Sequence, residues 1–149
     1  MKSHCKSNTK LYRIWTSMKR RLSCNGSEHD KKSYKNISMC EEWKDMYSFF
    51  MWAEPVYKEG MELDRINNLG NYEPNNCRFT TRKLNNQNTR KSKYWYIQGK
   101  RFNSSSDAAE FHNLDQSMVV KMCNGYTCNG KYYPPISGCY SEFKYANNH

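Results

Sequence analysis

The sequence predicts an α+β chain in two parts: a ββα unit with leader helices, then a small hairpin followed by a helix-turn-helix. Three observations carry this. Apolar residues recur at helical spacing near the start, at Leu11, Ile14, Trp15, Met18 and Leu22. The stretch LDRINNLGNYEPNNCRFTTRKLNNQNTRK, Leu63 to Lys91, reads as strand, turn-rich loop, strand and helix. Beyond the basic linker NTRKSK the pattern changes to YWYIQGKRFNS, a hairpin signal, and then to two short helical segments. The expected division is therefore 1–91 and 92–149.

The first amphipathic helix starts at Thr9 and carries Arg13, Lys19 and Arg20 on its outer face. CNGSEHDKKS breaks it with turn chemistry, and YKNISMC reads as a short strand or extended connector. A second helix is expected over Glu41 to Ala53, with Trp43, Met46, Tyr47 and Phe50 on one face and Pro55 at its end. GMELDRI alternates enough for a strand, NNLGNYEPNN is a loop by composition, and CRFTT is a second strand. Thr80 or Thr81 is placed to cap the helix RKLNNQNTRK. A hairpin loop this long needs side-chain hydrogen bonds of its own. In the second part, Gly99 marks a hairpin turn, Ser104 to Ser106 offer N-caps, and Gly125 stops the second helix. Short strands are expected at KYY and SEFKY.

The chain has 24 Lys and Arg against 14 Asp and Glu, a formal charge of +10 that favours a polyanionic partner. The distribution sharpens this. Residues 1 to 27 contain seven Lys or Arg and no acid, and the stretch from Pro74 to Ser106 has no acid either, while acids gather from Glu41 to Asp64. Such segregation suggests cationic faces made for a phosphate backbone, against the alternative of a merely solvated basic surface. No secretory or membrane-spanning apolar run occurs, so a cytoplasmic protein with no membrane partner is expected. Seven cysteines without a CxxC pair make disulfides an unfavoured reading in a reducing compartment. A zinc site from His4, Cys5, Cys24 and Cys40 matches no known spacing, and structural zinc is not expected.

LDRINNLGNYEPNNCRFTTRKLNNQNTRK resembles the motif of phage and mobile-element HNH (ββα-metal) endonucleases, and LYRIWTSMKRRL and SYKNISMCEEWKDMYSFFMWA resemble the leader helices of that group. The likeness covers about residues 9 to 91. In the family the first strand ends in Asp-His, a middle Asn follows the loop, and an Asn or His sits on the helix. The matching positions are Asp64-Arg65, Asn76 and Asn85. The resemblance implies that Asp64 and Asn85 bind one Mg²⁺ or Mn²⁺ and that Asn76 ties the loop and orients the catalytic residue. Asn88 would contact phosphate or support the site. Such an enzyme hydrolyses phosphodiester bonds in double-stranded DNA to 5′-phosphate and 3′-hydroxyl ends. Two oxygen ligands would leave most of the cation's shell to water and phosphate. The competing reading makes Asp64 an ion-pair partner of Arg78 or Arg82 and the amides mere loop ties.

Arg65 departs from the family pattern, because arginine stays protonated and cannot act as general base. Arg65 could instead hold the scissile phosphate and depress the pKa of a neighbouring tyrosine, Tyr34 first and Tyr72 second. Among the histidines, His29 is the loop alternative. A nuclease that has lost catalysis and only binds DNA, in a regulatory role, is the other class of function.

WYIQGKRFNSSSDAAEFHNLDQSMVVKMCNG is similar to the DNA-binding repeats attached to intron-associated and phage homing nucleases. Their usual turn Gly is missing, and Asn113 is expected to take the left-handed position in its place. The resemblance implies Gln116, Ser117 and Lys121 in the major groove, with Lys100, Arg101, Arg90, Lys91 and Lys93 on phosphates. Arg78, Arg82, Lys83 and Asn88 complete the expected DNA-binding set.

Overall fold

A computed structural model describes residues 9–23 and 26–145. The zinc ligands considered above, His4, Cys5 and Cys24, and also His149, lie outside those residues. The chain divides into two compact units after Asn88.

In the first unit the Thr9 hydroxyl accepts the Tyr12 N–H at 3.2 Å and starts α1, Lys10–Leu22. The expected turn after it contains a further short helix, α2, Glu28–Ser33. Ser27 and Asp30 form a reciprocal capping box there, the one helix-forming signal in an otherwise polar stretch. The predicted single helix from Glu41 is interrupted. A 3₁₀ turn, Glu41–Lys44, ends at Asp45, whose extended backbone and carboxylate cap α3, Met46–Ala53, through the Ser48 N–H at 2.8 Å. The restart turns Phe49 into the core in place of Tyr47, which is 62% exposed. Trp43, Phe49, Phe50 and Met18 are the largest fully buried side chains of this unit, joined in its core by Leu11, Ile37, Ala53, Tyr72 and Cys77. The Trp15 indole donates to the Trp43 carbonyl at 2.8 Å and locks α1 onto the 3₁₀ turn.

β1, Glu62–Arg65, pairs antiparallel with β2, Cys77–Thr80, placing Asp64 opposite Arg78 and Arg65 opposite Cys77. Thr81, rather than Thr80, caps α4, Arg82–Gln87. The intervening loop is tied by Asn76. Its side chain accepts from Asn67 N–H at 2.9 Å and donates to the carbonyls of Asn67 and Asn71 at 3.1 and 2.8 Å. Gly70 is required beside it: a Cβ there would lie 2.7 Å from Asn76 Nδ2. The connector predicted at YKNISMC begins as a turn, closed by Ile37 N–H to the Tyr34 carbonyl at 3.0 Å, and then clips to the loop through a single parallel bridge, Met39 with Tyr72, and through Ser38 N–H to Asn71 Oδ1 at 2.9 Å.

In the second unit β3, Lys93–Ile97, and β4, Lys100–Phe102, meet at a two-residue turn in which Gln98 and Gly99 both have positive φ, the geometry tight hairpins favour. Ser104 caps α5, Ser105–His112, and α6 is Gln116–Asn124. Asn113 adopts the left-handed conformation at φ 52° and ψ 46°. The strands expected near KYY and SEFKY form, with partners that the sequence does not mark. β5, Tyr126–Cys128, pairs with β6, Lys131–Tyr133, and β7, Cys139–Phe143, returns to β3 to complete a sheet of order β4-β3-β7. Trp95, Ile97, Phe102, Ala108, Ala109, Val119, Cys123 and Cys139 form this unit's core. None of the described helices is long and apolar enough to cross a membrane.

The Gly70–Asn76 contact makes a two-residue test of the loop. Gly70→Ala and Asn76→Ala should each destabilise the protein by about 1–3 kcal/mol in urea unfolding. The double variant should cost less than the sum, because the added methyl then meets no amide.

Candidate functional site

Strand period 2 and helix period 3.6 meet across the ββα unit. Glu62 and Asp64 lie on one side of β1, and Asn85 and Asn88 lie one helical turn apart at the end of α4. Each carboxylate takes one amide and one guanidinium. Glu62 accepts from Asn85 at 2.6 Å and from Arg82 at 3.0 Å. Asp64 accepts from Asn88 at 2.8 and 3.1 Å and from Arg78 at 3.0 Å. The Asn85 bond, aided by Arg82, holds the Glu62 carboxyl below its ordinary range.

The two residues expected to share a cation, Asp64 and Asn85, belong to neighbouring rungs of this arrangement. Asn85 serves Glu62, and the residue that reaches Asp64 is Asn88, one turn further along and level with the C-terminal end of β1. Asn88 Nδ2 also lies 2.7 Å from the Arg65 carbonyl and 3.4 Å from that of Ile66. Asn68 Nδ2 donates to the Asn88 carbonyl and holds that residue against the loop. Four oxygens thus converge on one amide nitrogen, which has only two hydrogens to give. A set of oxygens of this kind suits a hard cation. Rotating the Asn88 amide end for end would add its own oxygen to the set. Among the described residues no three His, Cys, Asp or Glu side chains gather as a metal group, so a cation here would rely on amide and carbonyl oxygens around one carboxylate.

Arg65 sits deeper than expected, only 6% exposed. Its guanidinium carbon lies 5.1 Å from the Tyr34 ring and 4.8 Å from the Tyr72 ring, and Nη1 donates to the Gly70 carbonyl at 2.9 Å. The two rings are nearly parallel, with centroids 6.4 Å apart. Packed this way, the side chain anchors the loop to the leader segment and does not present itself as a phosphate clamp. Tyr72, the second of the two tyrosines, is shifted away from acidity. Burial, reinforced by the nearby Tyr34, pushes the Tyr72 hydroxyl up to about 12 against the opposing pull of Arg65 and Arg21. Sequence alone set Arg65 beside Tyr34 and Tyr72 but not the depth of the cluster, which decides the direction. Arg21, 6.0 Å from the Tyr34 ring, is a member with no motif to mark it.

The other expected residues are distributed as follows. Arg78 and Arg82 are engaged by the carboxylates, with side chains 46% and 81% exposed, and Lys83 is exposed on α4. Arg90 and Lys91 are exposed at the start of the second unit. There the cations lie on rings: Lys93 over Phe143, Lys100 over Phe111 and Arg101 over Tyr94. On α6, Ser117 and Lys121 are exposed, and Lys121 covers Tyr126. Gln116, expected in a groove, donates to Ser105 Oγ at 2.9 Å and ties the two helices together. His29 lies exposed on α2, and His112 packs edge-on against Phe102 and Phe111. Motif spacing does not single out Glu62. Its place two residues before Asp64 and the i, i+3 spacing of Asn85 and Asn88 are the signal of a second carboxylate–amide rung.

No family model, curated protein or solved structure matches this chain.

The raised Tyr72 hydroxyl favours folding below the ordinary tyrosine range near 10, and that contribution is lost as pH rises from there towards about 12. In an ultraviolet titration one tyrosine should ionise last, close to the alkaline unfolding of the chain, and Tyr72→Phe should remove that step.

Proposed function

We propose that the first unit is a metal-dependent endonuclease acting on double-stranded DNA, with the second unit contributing recognition. The observation that carries this reading is the set of oxygens from Asp64, Arg65 and Ile66 around the Asn88 amide, at the end of a strand in a strongly basic chain. Asp64 and Asn88 would hold Mg²⁺ or Mn²⁺. When bound, the ion supplies charge stabilisation at the phosphoryl oxygens and the leaving oxygen. Asn76 and Arg65 are positioning residues. Asn76 fixes the loop by three hydrogen bonds, and Arg65 pins Gly70 while its own carbonyl faces Asn88. Arg78 competes with any cation for the Asp64 carboxylate, so metal affinity should be modest until a phosphate draws Arg78 away.

The second reading is a DNA-binding protein without catalysis. It is favoured by the engagement of Asp64 with both Arg78 and Asn88, and by an arginine, which cannot take a proton, at the position the resemblance reserves for a base.

Plasmid nicking separates the two. With Mg²⁺ or Mn²⁺ the wild type should nick and a chelator should stop it. Asp64→Ala and Asn88→Ala should lose on the order of 100-fold or more in rate, the scale for removing a group that stabilises the transition state. Asn85→Ala should lose only about tenfold, the low end of outer-shell changes. Binding without nicking in every metal tried would leave the non-catalytic reading standing, and equal losses for Asn85→Ala and Asn88→Ala would contradict the ligand assignment.

A further inference from the structure

One face of α1 is cationic where it turns towards β1. Lys10, Arg13, Ser17 and Arg21 recur at helical spacing, and with Glu62 and Asn85 opposite they border a cleft of about 260 Å³. From Lys10 to Arg21 the helix rises roughly 16 Å, the length of several phosphates along a strand and more than one small anion needs. The only acid among these six residues, Glu62, is already matched by Arg82 at 3.0 Å, so the lining keeps a positive excess. The cleft reaches Glu62 and Asn85, the rung next to Asp64 and Asn88 on the same strand.

We propose that this cleft seats the sugar–phosphate backbone of a nucleic-acid strand and leads it past the Asp64–Asn88 site, with Lys10 and Arg13 as phosphate contacts. The proposal rests on the nucleic-acid reading of that site and moves the main backbone contacts from α4, where Arg82 is committed to Glu62, to α1. Ile14, Met18, Met61 and Leu63 lie among the lining residues, so the walls are of mixed polarity, and it is the row of cations that fits evenly spaced phosphates, whose neutralisation releases counterions. Arg21 closes the inner end, where it also meets the Tyr34–Tyr72 pair.

The test is fluorescence anisotropy on a duplex of arbitrary sequence, in chelator, over a series of salt concentrations. Lys10 and Arg13 are exposed, so the K10Q/R13Q protein should fold, and its circular dichroism should match the wild type. Its slope of log affinity against log salt should shrink by about 1.8, at about 0.9 for each phosphate no longer neutralised, and each single variant should show about half of that. K19Q/R20Q removes the same charge from α1 outside the cleft and should leave the slope unchanged. An unchanged slope in K10Q/R13Q, or equal reductions in the two double variants, overturns the cleft. If an acidic peptide competes the duplex away from the wild type but not from K10Q/R13Q, a protein partner replaces the nucleic acid. Cleavage is read separately with metal. A protein that never nicks but whose slope falls in K10Q/R13Q keeps the cleft without the nuclease, and one that nicks while K10Q/R13Q keeps its slope does the reverse.

Discussion

A carboxylate taken out of water must be met by charge and hydrogen bonds, and Asp64, 3% exposed, sets that condition for the whole first unit. Arg78 meets it from the paired strand and Asn88 from the end of α4. Strand register, helix length and loop closure are therefore fixed by one side chain. A slip of one residue in the β1–β2 pairing would turn Arg78 to the other face and leave the acid half satisfied. The Glu62 rung repeats the arrangement closer to water, where it contributes less. Around this pair the loop is rigid for separate reasons: Asn76 bonds it to itself, while Arg65 and Tyr72 fasten it to the leader.

Much of this order is legible in the chain. Apolar periodicity marks α1, and turn chemistry marks the Gln98–Gly99 hairpin and the left-handed Asn113. The α+β class and the strand–loop–strand–helix order follow from those local rules. Where the pattern misleads, the cause is non-local. Asp45 capping α3 restarts a helix whose apolar pattern looks continuous, so Phe49 replaces Tyr47 inside. Asn85 and Asn88 are equivalent in composition and lie on the same helical face. Only the position of β1 beneath them decides which one meets Asp64. Arg65 is visible as a departure, but its burial between two rings depends on Tyr34 and Tyr72, distant in sequence and brought together by the Met39–Tyr72 bridge.

The basic surplus is also less uniform than the sequence suggests. Arg78 and Arg82 are absorbed by acids, and Lys93, Lys100, Arg101 and Lys121 rest over aromatic rings, where the quadrupole attracts a cation while its head stays near water. Those rings orient the second unit's charges without neutralising them. A cation on a tyrosine face can still meet a phosphate, whereas one bound to a buried carboxylate can do so only by leaving it.

The return of β7 to β3 bears on how the chain acquires its shape. The core contacts of the first unit are complete by Asn88, so that unit is free to form while the remainder is still being synthesised. In the second unit the β3–β4 hairpin closes across two residues, but the central strand β3 lacks its other neighbour until Cys139 to Phe143 has emerged. Until then Trp95 and Ile97 line a half-built sheet with an open edge, the kind of surface that pairs with other chains. Pairing with β7 thus covers the free edge of the central strand, and the tyrosine-rich segment before it determines how late that step arrives.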